Sequence, residues 1–265
     1  MTELTKLADP PVCLTIAGLD PSGGAGIIAD IKTFSAFGCF AAAAVTSVTF
    51  QNTQAVHGAV HQNADSVRRQ VEPVVDDYSI AAVKTGMLPT RAIIDEVSHL
   101  VTEFNFLRLV VDPVVRSTSG FDLIDDKALA SVIERLFPVA MVITPNIPEA
   151  ERITGSRINS EEDIVKAGKK MQDLGAKNVL LKGGHFTGPN AKDFLFTDDT
   201  VQVFEAEYIN TTATHGTGCT LAAAITANLA LGKSLPEAVA ISKRFVHQAI
   251  ETSPRLGKGN SPINI

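Results

Sequence analysis

Seven consecutive residues, Thr214-His215-Gly216-Thr217-Gly218-Cys219-Thr220, have the types and spacing best suited to chemistry. Two glycines bracket Thr217 where the alanine-rich run LAAAITANLA is about to begin a helix. Glycine lets backbone amides approach a ligand closely. A helix start adds unpaired N–H groups and a partial positive charge. Together these make an anion site suited to the charge that moves during phosphoryl transfer. Cys219 falls in the first turn, where a thiol pKa tends to drop. The same residues also suit a plain N-cap with packing glycines and a small buried cysteine, and they do not fit the GxxxxGK[ST] loop or a GxGxxG that follows a strand.

Other candidates are spread along the chain. In Asn146-Ile147-Pro148-Glu149 an amide and a carboxylate three residues apart share one helical face. They can hold magnesium through water or close a capping box. Asp112, before Pro113, is either a second metal-facing carboxylate or a turn former. Lys182 ends an apolar run before Gly183-Gly184, where it can neutralise phosphate or stand solvated in a glycine turn. Gln51 carries an amide able to both donate to and accept from an aminopyrimidine edge. Met87 can lay its sulfur on a heteroaromatic ring. His185 and His215 flank glycine loops and suit hydrogen bonding more than acid–base work. No Ser-His-Asp order and no Cys/His zinc spacing stands out.

These residues need a frame, and the hydropathy pattern supplies one. Short β-branched runs alternate with helical spacing: strands at 12–17, 41–49, 80–83, 107–111, 140–143 and 179–181, helices at 25–37, 63–77, 90–103, 127–136 and 161–174. Two more polar strands, 193–197 and 201–205, precede closing helices at 218–231 and 236–251. On the first helix Ile27, Ile28, Ile31 and Phe34 share a face. Strands apolar on both sides imply a mainly parallel sheet covered by helices on two faces, with ligands at the carboxyl ends of the strands. Those ends hold the polar, Gly and Pro clusters named above, together with Gly18-Leu19-Asp20-Pro21-Ser22-Gly23-Gly24.

Composition narrows the function classes. The chain has 265 residues, 45% hydrophobic and 20% charged, as globular domains do. A net charge of −6 argues against a general basic grip on nucleic acid, and the lack of tryptophan against large stacking platforms. The longest apolar stretch is too short to span a bilayer. Three scattered cysteines imply free thiols in a reducing, cytoplasmic compartment.

Taken in order, the segments LTIAGLDPSGGAGIIADIKTF, FQNTQAVHG, KTGML, VVDPVV, TPNIPEAE, VLLKGGH, THGTGCTLAAAI and GKGNSP resemble the hydroxymethylpyrimidine and phosphomethylpyrimidine kinases of thiamine biosynthesis, in the ribokinase-like superfamily. The resemblance runs from Leu14 to about Asn264. It implies a three-layer α/β fold in one domain over 1–265, with 1–10 as a flexible tail and no separate lid. It implies phosphate transfer from MgATP to 4-amino-5-hydroxymethyl-2-methylpyrimidine, then to its monophosphate, by a homodimer. Carried over by position, Gly18, Asp30, Gln51 and Met87 would hold the pyrimidine. Gly216, Thr217, Gly218 and Cys219 would form the anion hole, with Cys219 the catalytic candidate. Asn146 and Glu149, with Asp112 nearby, would organise Mg2+. Lys182, Lys258 and Gly259 would line the ATP side.

Three segments depart from the family pattern: Leu19, where Ser or Thr is usual; Arg116-Ser117-Thr118, in place of a more apolar stretch; and Phe121, where Asp is common. The loop from Val115 to Asp122 is expected beside the phosphate path. A pyridoxal or pyridoxine kinase is the neighbouring expectation, alone or as dual specificity. A non-catalytic ligand sensor on the same scaffold is the reading from another class.

Overall fold

The computed structural model describes residues 9–115, 123–184, 189–198 and 200–265. The loop expectation at 116–122, His185 and most of the expected tail lie outside the described residues.

One nine-stranded sheet runs through the molecule. Its strands are β1 (Val12–Leu19), β2 (Phe40–Gln51), β3 (Val56–His61), β4 (Ile80–Thr85), β5 (Leu109–Val111), β6 (Val142–Ile143), β7 (Asn178–Lys182), β8 (Asn190–Thr197) and β9 (Thr200–Glu207). The order is β3-β2-β1-β4-β5-β6-β7-β8-β9. Strands β2, β1, β4, β5, β6 and β7 pair in parallel; β3 pairs antiparallel with β2 on one edge, and β8 and β9 extend the other edge through antiparallel pairs.

The helices are α1 (Gly26–Ala36), α2 (Ala64–Asp77), α3 (Arg91–Glu103), α4 (Asp126–Ser131), α5 (Ile147–Thr154), α6 (Glu161–Asp173), α7 (Thr217–Ala230) and α8 (Leu235–Glu251). One face of the sheet packs on α2 to α6, where Val67, Ile93, Leu129, Ile153 and Ile164 share a core with Leu14, Ile16 and Val111. The other face packs on α1, α7 and α8, where Phe34, Leu221, Ile225 and Val239 meet Cys13, Val110 and Leu180. Neighbouring residues such as Val110 and Val111 thus enter opposite cores, which is why these strands read as continuous apolar runs.

Several expectations change. The hairpin strand β3 has no counterpart in the sequence reading, because Val56–His61 is half exposed and carries two histidines and a glycine. The Asn146-to-Glu149 turn continues as the full helix α5. The helix expected over 127–136 is α-helical only to Ser131 and then widens into a π-helical turn, Val132–Leu136. On α1 Ile31 is exposed, and Asp30 and Thr33 are buried instead. The helix turns that polar pair inward because Asp30 meets a lysine beneath the sheet end.

Candidate active site

After β1 the chain goes to one side of the sheet, forming β2 and β3, then crosses to the other side with β4. The crevice at this switch point is where α/β sheets bind ligands. A cavity of about 1020 Å³ opens there. Gly18, Gln51 and Met87 line one end, Asp112, Asn146, Glu149 and Lys182 the middle, and Tyr208, Lys243, His247 and Ile250 the other.

The α7 N-terminus faces the cavity through Gly216, Thr217, Gly218 and Cys219. Gly216 is its N-cap at φ 86°, and no side chain caps the helix. A Cβ on Gly216 would lie 1.8 Å from the Gly24 carbonyl oxygen, so glycine is required there. The Thr217 amide donates to the Thr214 carbonyl at 3.3 Å and the Thr220 amide to the Gly216 carbonyl at 2.9 Å. The amides of Gly218 and Cys219, between them, have no backbone acceptor among the described residues. They are open donors at a helix start, a cradle arrangement that suits an anion.

The cradle is locked to the β1–α1 loop. His215 Nε2 pairs with Asp20 Oδ2 at 2.7 Å. Asp20 also accepts from the Ser22 amide, the Ser22 hydroxyl and the Ala25 amide. Burial would raise the Asp20 carboxyl, but the bonds from His215 and Ser22 outweigh it and hold the group below its ordinary range. Sequence reasoning assigned Asp20 no role, although its place before Pro21-Ser22 is a turn signal.

Asp112, Lys182 and Glu149 form the middle of the cavity. Lys182 Nζ donates to Asp112 Oδ1 at 3.1 Å, and the Thr144 hydroxyl donates to the same oxygen at 3.0 Å. Burial alone would lower the Lys182 ammonium, yet Asp112 and Glu149 keep it charged and raised. A Cβ on Gly218 would stand 3.3 Å from Lys182 Nζ, which places this cation at the cradle. Asn146 and Glu149 close a reciprocal capping box: Asn146 Oδ1 accepts from the Glu149 amide at 2.9 Å, and Glu149 Oε2 from the Asn146 amide at 2.8 Å. Both readings of this pair therefore coexist, a cap that also turns its carboxylate into the cavity. Burial pushes Glu149 up to about 7, against the pull of Lys182. Among the described residues no cluster of three or more His, Cys, Asp or Glu side chains has a metal-holding arrangement.

At the other wall, a Cβ on Gly18 would press on Met87 Sδ at 3.1 Å, so glycine gives the sulfur its place. Gln51 ends β2 and reaches the same pocket.

Three expectations are corrected here. Asp30 does not line the cavity. It is fully buried, and its Oδ2 accepts from Thr15 Oγ1 at 2.6 Å and from Lys84 Nζ at 3.0 Å. Lys258 and Gly259 are also elsewhere. Their amides both donate to Thr53 Oγ1 at 3.2 Å, bracing the β2–β3 turn, because the glycines at 257 and 259 let the segment close onto Thr53. The far end of the cavity is walled by α8 and the segment that follows β9, whose Lys243, His247 and Tyr208 look like ordinary surface residues in the sequence. The Cys219 thiol, expected to be lowered, is pushed up to about 11 by burial, which outweighs the pull of Lys84.

A sheet between two helical layers, with open amides and a lysine at its switch point, is the architecture of ribokinase-like kinases. The family model for phosphomethylpyrimidine kinase matches residues 20–264, and the chain belongs to that family. A hydroxymethylpyrimidine/phosphomethylpyrimidine kinase of Staphylococcus aureus (strain MSSA476) is 43% identical over 257 residues, 96% of this chain and 93% of that one. The crystal structure of a phosphomethylpyrimidine kinase from Clostridium difficile 630 is 42% identical, with a TM-score of 0.80 over 91% of this chain and 99% of that one. The pyridoxal kinase from Staphylococcus aureus in complex with AMP-PCP and pyridoxal is 33% identical, with a TM-score of 0.89 over 96% of this chain and 93% of that one.

Proposed function

We propose that this kinase transfers phosphate from ATP to the alcohol of 4-amino-5-hydroxymethyl-2-methylpyrimidine, and then to the resulting monophosphate. The observation that carries the reading is the pair of open amides at Gly218 and Cys219, placed between the Gly18–Gln51–Met87 pocket and Lys182. The heterocycle lies against Met87, with Gln51 at its polar edge. The migrating phosphoryl group sits over the amides, which hold its charge without reorganisation. Lys182 neutralises the ATP phosphates from the other side. Cys219 stays a thiol at neutral pH and shapes the cradle.

The donor chemistry fits magnesium, since Mg2+ in nucleotide sites is held by one or two carboxylates, water and substrate phosphates. Glu149 and Asp112 would hold it, with Asn146 through water, and the ion would add charge neutralisation on the phosphates. We place the enzyme in the cytoplasm as one kinase domain; its three cysteines are free, and no described helix is long and apolar enough to cross a membrane. We further propose a homodimer that covers the exposed Phe50 and Val60 of β2 and β3, which light scattering would test.

Mass spectrometry of products from the pyrimidine alcohol and MgATP tests the reading. A mono- and then a diphosphate are expected. Pyridoxal phosphate as the sole product in competition would move the assignment to a vitamin B6 kinase. Ligand binding without ADP release would make the chain a sensor.

A further inference from the structure

Lys84 and Asp30 form an ion pair whose side chains are both 0% exposed. Such a pair adds little net stability compared with apolar residues of the same size. Its position points to another purpose. Lys84 is the last residue but one of β4 and lines the cavity, and a Cβ on Gly86 would lie 3.1 Å from its Nζ. An ammonium has three donors, and Asp30 Oδ2 takes one at 3.0 Å. The other carboxylate oxygen, Oδ1, is buried without a partner. Among the charges acting on Cys219, Lys84 has the largest effect; Asp30, Asp112 and Lys182 also reach it. Lys182 stands by Gly218, and Lys84 stands by Gly86 in the wall of the cavity that Cys219 also lines, with its charge felt at that thiol.

We propose that Lys84 is a positioning residue for the acceptor: held by Asp30, its ammonium supplies the fixed positive charge that favours an anionic phosphomonoester beside Cys219. The kinetic arm rests on the function proposed above; the electrostatic arm does not. A fixed charge in a dry site acts far more strongly than one in water. The second transfer, whose acceptor is already anionic, therefore depends on Lys84 more than the first.

The test compares Lys84→Met, Asp30→Asn and the double variant Asp30→Asn/Lys84→Gln, all in the full chain. Alkylation of Cys219 by iodoacetamide at pH 8.5 is followed by peptide mapping, because the thiolate is the reacting species. Lys84→Met is expected to slow alkylation about threefold or more, and Asp30→Asn, which leaves the lysine unopposed, to speed it. Lys84→Met is also expected to reduce diphosphate formation about tenfold more than monophosphate formation. A merely structural pair would loosen on substitution and speed alkylation in both single variants. That result, unchanged alkylation, or equal loss of both transfers would overturn the proposal. If Lys84→Met does not fold, the double variant must alkylate more slowly than Asp30→Asn, and equal rates overturn it. If the wild type yields no diphosphate, the functional reading fails, and the alkylation arm alone decides the role of Lys84.

Discussion

His215 and Asp20 meet at 2.7 Å across 195 positions of sequence, joining the loop before α7 to the loop after β1. This contact fixes where the open amides point. Asp20→Ala should lower kcat by about 10- to 100-fold through misplaced donors, and stability by about 1–3 kcal/mol through orphaned buried donors. The folded Asp20 carboxyl is held below its unfolded value, so its contribution is full above the ordinary carboxylate range and is lost as pH falls through its lowered folded pKa. Urea melts between pH 7 and pH 3 should show wild type and variant converging at the acid end.

Gly216 and Gly232 both have positive φ, but only Gly216 is crowded: a Cβ there meets the Gly24 carbonyl, whereas one at Gly232 meets nothing within 4 Å. Gly232→Ala should cost about 1 kcal/mol, the backbone penalty alone. Gly216→Ala should cost at least ~2 kcal/mol more, because two loops must part. Thermal melting of the two variants side by side checks the difference.

The contact between Gly18 and Met87 predicts selective damage to the acceptor. In Gly18→Ala the new methyl presses on Met87 Sδ at 3.1 Å and narrows the part of the cavity proposed to take the heterocycle. The KM for the pyrimidine alcohol should rise about tenfold or more, the loss of 1–2 kcal/mol of pocket fit, while the KM for ATP stays near wild type. A parallel rise in both constants would show that the slot is not where the acceptor binds.

Cys219 titrates at about 11 in the fold against 9.0 when free, because burial outweighs the attraction of Lys84. Between those values the folded chain keeps a proton that the unfolded chain has lost, so this group weakens the fold as pH rises through the window. Turnover should therefore show no thiolate limb near pH 8. Cys219→Ala should retain much of the first transfer. Cys219→Asp should damage the second transfer more than Cys219→Ala does, since a carboxylate repels the phosphorylated acceptor. Product ratios for the two variants measure this, and equal losses would remove the repulsion account.

The sequence exposed the sheet through its double-sided apolar runs and the cradle through its bracketed threonine. Lys182 fits either a phosphate contact or a solvated lysine in a glycine turn from sequence alone, and its bond to the buried Asp112 removes the solvated option. The family resemblance alone put Asp30 at the pyrimidine; its own position on α1 shows only that it shares the first turns with the glycine loop. Whether it faces the cavity or the core depends on a lysine 54 positions away, on another element. Lys258 and Gly259 also came to the ATP side through the resemblance; their partner, Thr53, lies in the turn before β3, a strand too polar to be read from the sequence. Local pattern shows what a residue can do, but the partner is chosen by the fold.

The braces on Thr53 and Asp20 come from residues 258–260 and from His215, late in the order of synthesis. A nascent chain that has emerged from the ribosome only as far as α6 already contains Gly18, Gln51, Met87 and Glu149, but it has no cradle to organise. The open amides of Gly218 and Cys219 therefore arrive together, with the last fifth of the polypeptide, and a chain that stops before α7 has neither of them.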